Sequence, residues 1–364
     1  RTYHRIELEI RRPPPEVYDD RGNGATQHID ILDYGRFLSA ISVLMFHYLV
    51  VGPAGGRIIS FDAGADAVTL AFSVGYIGVD FFFIVSGFVI ALSAASATPK
   101  QFIRSRFFRL YPTFLLCMTA TALVRIWSGR PDLDISLFQY FANWTMVSQF
   151  LGFRYIDGVY WTLAYEIIFY ILMLFLIIIR QTHHLETICR FWLVAIIALD
   201  LVKINIPGFT GYFALFCAGC MFSCVWKSGW SPARIVFLTA AASFCALQAS
   251  TRAAEALFDD SVAAAFLTVC FFVVFALFSG TQLSNARLPF ARTIGLMTYP
   301  LYLLHAYIGY VLLSIVGSEE TKWVAIAVVA LVMLLVSFGI VRWIDRPMQK
   351  VYDKIWPRRR GGCA

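Results

Sequence analysis

The chain has 364 residues, of which 59% are apolar, 16% aromatic and only 15% charged, with a net charge of +7. A soluble domain devotes about a quarter of its residues to charge, and this composition in water would expose apolar patches that aggregate. These proportions exclude an ordinary water-soluble enzyme, and with no basic soluble face they exclude a nucleic-acid binder.

Residues 1–30 carry arginines and a Pro13-Pro14-Pro15 run but no apolar block, which excludes a secretory signal peptide and predicts a flexible cytoplasmic arm. Ten apolar blocks follow, near residues 31–51, 72–94, 107–127, 159–180, 188–203, 209–226, 232–250, 262–279, 295–316 and 321–343. Most reach the ~20 residues a helix needs to cross a hydrocarbon core; the fifth, sixth and eighth are short. The expected fold is therefore all-α: a polytopic transmembrane helical bundle of about ten helices over residues 31–345, followed by a basic cytoplasmic tail, 346–364. Leu137 to Leu151 contains Asn143, Trp144 and Gln149, and reads as an interfacial or re-entrant segment whose polar groups need partners.

Orientation follows from Lys and Arg. With both termini in the cytoplasm, the inner segments hold about threefold more basic residues than the outer ones. Twenty-two lie inside, among them Arg104, Arg106, Arg109, Arg180, Lys227, Arg287 and the seven from Arg342 to Arg360, against seven outside: Arg57, Arg125, Arg130, Arg154, Lys203, Arg252 and Lys322.

Ionisable groups at membrane depth are costly, and each is a functional candidate. In the first block Arg36 and His47 are eleven residues apart, about three helical turns, so they share a stripe and lie ~16 Å apart along it. Arg36 would sit near the cytoplasmic end, either binding a ligand or reaching lipid headgroups; His47 would sit a turn below the outer surface, either reactive or bonded to a carbonyl. Asp80, near the outer end of the second block, reads as a site residue or as a helix cap. Gly87 in the same block reads as a close-packing position. Arg106 and Arg109, at i and i+3 with Arg104 nearby, suit a phosphate, although topology alone also explains them. Glu166, in the fourth block, is expected at the depth of His47, where a carboxylate would orient and charge-stabilise an imidazole base; a purely structural pair is the alternative. His305, expected near mid-membrane, reads first as a satisfied packing histidine. Cys217, Cys220 and Cys224 share a helix face and read as packing residues; no disulfide and no metal site is expected.

The layout is asymmetric: arginines at the inner face, a histidine with acids near the outer one. An extended pantetheine arm spans roughly 15–20 Å, close to the Arg36–His47 separation.

These residues resemble the acyltransferase-3 family of membrane acyltransferases. The similarity rests on Leu32-Asp33-Tyr34-Gly35-Arg36 with its gap to His47, Gly78-Val79-Asp80-Phe81-Phe82 through Ser86-Gly87-Phe88, and Arg106-Phe107-Phe108-Arg109-Leu110-Tyr111-Pro112. It continues through Trp161-Thr162-Leu163 with Glu166 and Phe169-Tyr170, Tyr299-Pro300-Leu301-Tyr302-Leu303-Leu304-His305, and Ile344-Asp345-Arg346-Pro347. Gly35 and Asp345 stand where the family usually has Leu and Glu. The resemblance implies ten helices and a stand-alone O-acyltransferase without an appended extracytoplasmic domain, in a bacterial inner membrane. It implies an acyl-CoA donor, most commonly acetyl-CoA, bound by Arg36, Arg106 and Arg109. The acceptor would be a hydroxyl of a carbohydrate or lipid-linked glycan outside the cell, with His47 as general base, Glu166 supporting it, and Asp80, Trp161 and His305 as substrate or supporting residues. A proton-coupled transporter using His47, Asp80 and Glu166 as a relay is the competing expectation.

Overall fold

A computed structural model describes residues 29–62, 64, 66–254, 260–280 and 286–355. Most of the expected N-terminal arm, and residues 356–364 of the expected tail, lie outside the described residues. The described residues are all-helical: 81% of them lie in helices, and they contain no strand.

The helices in chain order are α1 (Asp30–Phe46), a short α2 (Ala67–Phe72), α3 (Gly78–Ala94), α4 (Pro99–Ser128), a short α5 (Leu137–Asn143), α6 (Trp161–Ile178) and α7 (Leu185–Leu201). They continue with α8 (Phe213–Ser228), α9 (Pro232–Ala254), α10 (Ser261–Gly280), α11 (Ala291–Val316), α12 (Lys322–Ile340) and α13 (Arg346–Ile355). Each of the ten apolar blocks is a helix. Among the described residues, eight helical segments are long and apolar enough to cross a membrane, while α8 is apolar but shorter. α7 has 17 residues and carries Glu186, Arg190 and Asp200. Large apolar side chains such as Phe191, Val262, Phe266 and Val324 lie exposed on the outside of the bundle, as lipid-facing surfaces require. The chain is an integral, multi-pass membrane protein.

Local chemistry sets the ends of these helices. α4 opens with a capping box, in which the Thr98 side chain accepts from the Gln101 N–H and the Gln101 side chain accepts from the Thr98 N–H. It closes on Gly129 in the left-handed region, which a glycine adopts without steric cost. The 137–151 segment forms α5 and one 3₁₀ turn, Ser148–Leu151. Buried Asn143 ties it together: its amide nitrogen donates to the Gln139 and Arg154 carbonyls, and its oxygen accepts from the Ile156 N–H at 2.9 Å. A segment with a polar amide at this position holds together because every amide atom finds a partner.

Two close approaches position the site. α3 packs on α8 through Gly87 and Gly219, where an added Cβ would collide with the Phe216 and Ile84 carbonyl oxygens respectively. α1 packs on α11, where Gly295 leaves room for Asp33 and Gly309 for the Tyr48 phenol. Small residues at these crossings let the backbones approach. At the end where α1 begins, Asp30 accepts from the Leu288 N–H at 2.9 Å, which anchors the start of α1 beside that of α11.

Candidate active site

Two adjoining cavities run between α1, α3, α6 and α11. The first, of about 710 Å³, is lined by Arg36 of α1, Arg106 and Arg109 of α4, Glu166 and Tyr170 of α6, and Thr298 and Tyr299 of α11. The second, of about 730 Å³, is lined by His47, Arg57, Asp157, Trp161, Tyr212, Tyr307 and Tyr310, among others. Val79 and Tyr302 line both.

In the arginine cavity, three guanidiniums face one carboxylate. The Tyr170 hydroxyl donates to Glu166, and the Arg106 guanidinium lies over the Tyr170 and Phe102 rings, 5.6 and 5.7 Å from their centroids. Arg106 also donates to the Ser93 hydroxyl at 3.2 Å, while its buried Nε has no partner. Arg36 pairs with Asp33 at 3.6 Å. The excess of forked donors over acceptors suits a phosphate-bearing ligand. Arg104, expected close to this group, is not part of the lining.

The histidine cavity is mainly aromatic. His47 opens a five-residue π turn, His47–Val51, that continues α1, a local widening that often marks functional positions. Its ring stacks on that of His305, with centroids 4.9 Å apart. His305 Nδ1 lies 2.8 Å from the Tyr302 carbonyl and 3.2 Å from that of Leu301, which assigns its proton to Nδ1 and leaves a lone pair on Nε2. His305 Nε2 and His47 Nδ1 are both buried without a hydrogen-bond partner. His305 thus has one nitrogen satisfied and one without a hydrogen-bond partner, and its ring abuts His47.

Glu166 departs from its expected place. It lies among the arginines and does not share the cavity of His47. The reason is helical rise: Glu166 is five residues beyond Trp161, about 7 Å further along α6, which carries it past the level of the shared wall. The acid in the His47 cavity is instead Asp157, fully buried, which accepts from the Val159 N–H at 3.2 Å and the Tyr307 N–H at 3.0 Å.

Asp80 lines neither cavity. One helical step from Val79 turns it about 100° away, toward α9. There it pairs with Arg252 at 2.8 Å, and that guanidinium lies 4.6 Å from the centroid of Tyr212, which lines the histidine cavity. Asp80 is therefore linked to the cavity only through Arg252 and Tyr212. The three groups of a hypothetical proton relay, His47, Asp80 and Glu166, occupy three separate environments.

Sequence reasoning passed over Arg57, Arg125 and Asp157. Arg57 covers the Tyr307 and Tyr310 rings at 5.3 and 5.9 Å. Arg125, taken for an outer-segment charge, is buried at the end of α4, where it donates to the Leu133 carbonyl at 2.9 Å and to that of Ile156. Only Asp157, directly before Gly158 and the Trp161 motif, carried a local signal, that of an acid at a helix entry. Among the cysteines, Cys189 of α7 lies against Cys217 and Cys220 of α8. The described cysteines are all free thiols, and the described residues include no group of three or more side chains able to hold a metal ion.

The fold and cavities define a multi-pass membrane protein with a basic chamber joined to an aromatic, histidine-bearing one. A family model described as an acyltransferase domain matches residues 29–342, and the chain belongs to that acyltransferase-3 family. No curated protein and no solved structure matches the chain significantly.

Proposed function

We propose that this membrane acyltransferase moves an acyl group, most simply acetyl, from cytosolic acyl-CoA to a hydroxyl of an extracytoplasmic glycan, across a bacterial inner membrane. One observation carries the reading: a three-arginine cavity and a His47 cavity adjoin at Val79 and Tyr302.

The donor's phosphates sit with Arg36, Arg106 and Arg109, and its arm extends along α1. The ~16 Å between Arg36 and His47 matches the length of an extended pantetheine arm, so the thioester reaches the His47 cavity. The acceptor enters from the opposite side. Seven aromatic side chains around that cavity, Phe46, Tyr76, Trp161, Tyr212, Tyr302, Tyr307 and Tyr310, offer flat apolar faces with hydroxyl edges, which suits a sugar ring. His47 takes the proton from the acceptor hydroxyl as its oxygen attacks the thioester carbonyl. The carbon–sulfur bond then breaks, and the imidazolium returns the proton to the departing thiolate.

The test is His47→Ala in a strain whose surface glycan is measured by mass spectrometry. Loss of glycan acylation at unchanged expression is expected; acylation at the wild-type level overturns the reading. Charge reversal of Arg106 and Arg109 is expected to weaken acyl-CoA binding to the purified protein, and unaltered affinity removes the arginines from the donor site.

A further inference from the structure

One charged side chain of the histidine cavity has no part in the chemistry assigned above. Arg57 lines that cavity, half-buried, and its backbone is held in place. The chain turns back after Gly52, whose carbonyl accepts from the N–H groups of Arg57 at 2.8 Å and Ile58 at 3.0 Å. The Arg57 carbonyl accepts from Arg130 at 2.6 Å, and the Ile59 N–H donates to the Ser314 hydroxyl of α11 at 3.2 Å. The arginine is therefore fastened to α11 and to the segment after α4.

Its guanidinium lies beside the Tyr310 hydroxyl and over the Tyr307 ring. Among the described residues it forms no ion pair, whereas Arg130, Arg252 and Lys322 pair with Asp132, Asp80 and Asp66. Asp157, the acid in the lining of this cavity, does not neutralise it. One Asp157 oxygen accepts from the Val159 N–H and the other from the Tyr307 N–H. A second cation also crowds the same ring: Arg125 lies 4.9 Å from the Tyr307 centroid, against 5.3 Å for Arg57. Two guanidiniums thus share one phenol ring and one nearby carboxylate. Arg125 is engaged by the Leu133, Ile156 and Asp134 carbonyls and does not line the cavity. The surplus positive charge open to a ligand therefore belongs to Arg57. A guanidinium lying over a ring uses its face there and keeps the N–H donors of its edge, which match an oxyanion through two parallel bonds.

We propose that Arg57 is an anion subsite of the acceptor chamber, so that the glycan acylated here is acidic. A carboxylate or phosphate on the acceptor pairs with Arg57 while a hydroxyl of the same molecule meets His47. This rests on the acceptor chamber assigned above and narrows its substrate class. Arg57 and His47 line one cavity and interact electrostatically, so a single acceptor molecule reaches both.

The experiment uses the full chain in lipid nanodiscs, with acetyl-CoA as donor and thiol release as the readout. The acceptor is isolated cell-envelope glycan in three forms: untreated, with carboxylates reduced to alcohols through a carbodiimide, and with phosphates removed by aqueous hydrogen fluoride. In the wild type one of the two treatments is expected to lower kcat/KM for the glycan about tenfold, the usual worth of a hydrogen bond to a charged group. Which treatment does so identifies the anion. In Arg57→Gln the ratio of untreated to treated glycan is expected to fall toward one, and in Arg57→Lys to lie between the two. Wild-type rates that neither treatment changes overturn the anion subsite and leave the chamber assignment standing. An Arg57→Gln ratio equal to that of the wild type overturns it too, whatever the loss in rate, because a structural role does not distinguish the glycans. A wild type that releases no thiol with untreated glycan overturns the acyl-transfer reading itself. If Arg57→Gln does not fold, Arg57→Lys decides, and a wild-type ratio there removes the arginine from acceptor binding.

Discussion

His47 and His305 stack with ring planes 14° from parallel, although they come from helices at opposite ends of the chain. The His305 ring is pinned by its Nδ1 bonds to α11, so it fixes where the His47 ring can lie. His305 is then a positioning residue for the proposed base. His305→Ala is expected to lower kcat about 10- to 100-fold with little change in acyl-CoA affinity, because it disturbs only the transition-state geometry. His305→Phe, which preserves the stack, is expected to recover part of that loss. Equal losses in the two variants would show that stacking is not what His305 contributes.

Glu166 lies with the arginines, and its variant separates two roles. Glu166→Gln is expected to change the KM for acyl-CoA, since removing one negative charge alters the field felt by Arg36, Arg106 and Arg109. The pH profile of kcat is expected to stay as in the wild type. A displaced profile with unchanged donor affinity would restore Glu166 as the partner of His47.

Asp80 and Arg252 form a largely buried ion pair joining α3 to α9. Removing one partner strands the other. Asp80→Asn is expected to cost about 2 kcal/mol, below the usual cost for a fully buried pair because Arg252 is partly exposed. The double variant Asp80→Asn with Arg252→Gln is expected to regain part of this. Thermal denaturation in detergent reads both, and strictly additive losses would show that the pair is not coupled.

Arg130 fastens the loop that carries Arg57. It donates to the Arg57 carbonyl at 2.6 Å and grips Asp132 with two bonds, at 3.0 and 2.8 Å. Its guanidinium holds the Asp132 carboxyl below the ordinary value of 3.8, with a smaller opposing effect from burial. A depressed carboxyl stabilises the fold above its unfolded pKa and loses that contribution as pH falls through the folded value. The wild type is therefore expected to be more thermally stable than Asp132→Asn near neutrality, with the difference shrinking as pH falls below 3.8 and through the depressed folded value. A difference that persists in acid would assign it to something other than the ion pair.

Much of the bundle was legible from hydropathy alone. All ten apolar blocks became helices, because a run of ~20 apolar residues has one stable form in lipid, with its backbone bonds satisfied internally. Gly87 as a close-packing position was also readable, since a glycine in an apolar helix has few other uses. Side-chain neighbours were not. Glu166 and His47 share a depth only if helix start, tilt and partition level all coincide, and an error of five residues moves a group about 7 Å.

The sequence by itself therefore determined that the chain lives in a membrane, where its helices run, and that Arg36, Arg106, Arg109 and His47 are unusual there. Those conclusions depend on composition and local periodicity, which need no partner. Only the tertiary structure decided that Glu166 joins the arginines, that Asp80 belongs to Arg252, that His305 abuts His47, and that Val79 and Tyr302 line both chambers. Each of these depends on how one helix is rotated and displaced against another, and a rotation of about 100° per residue cannot be read along a single strand of text.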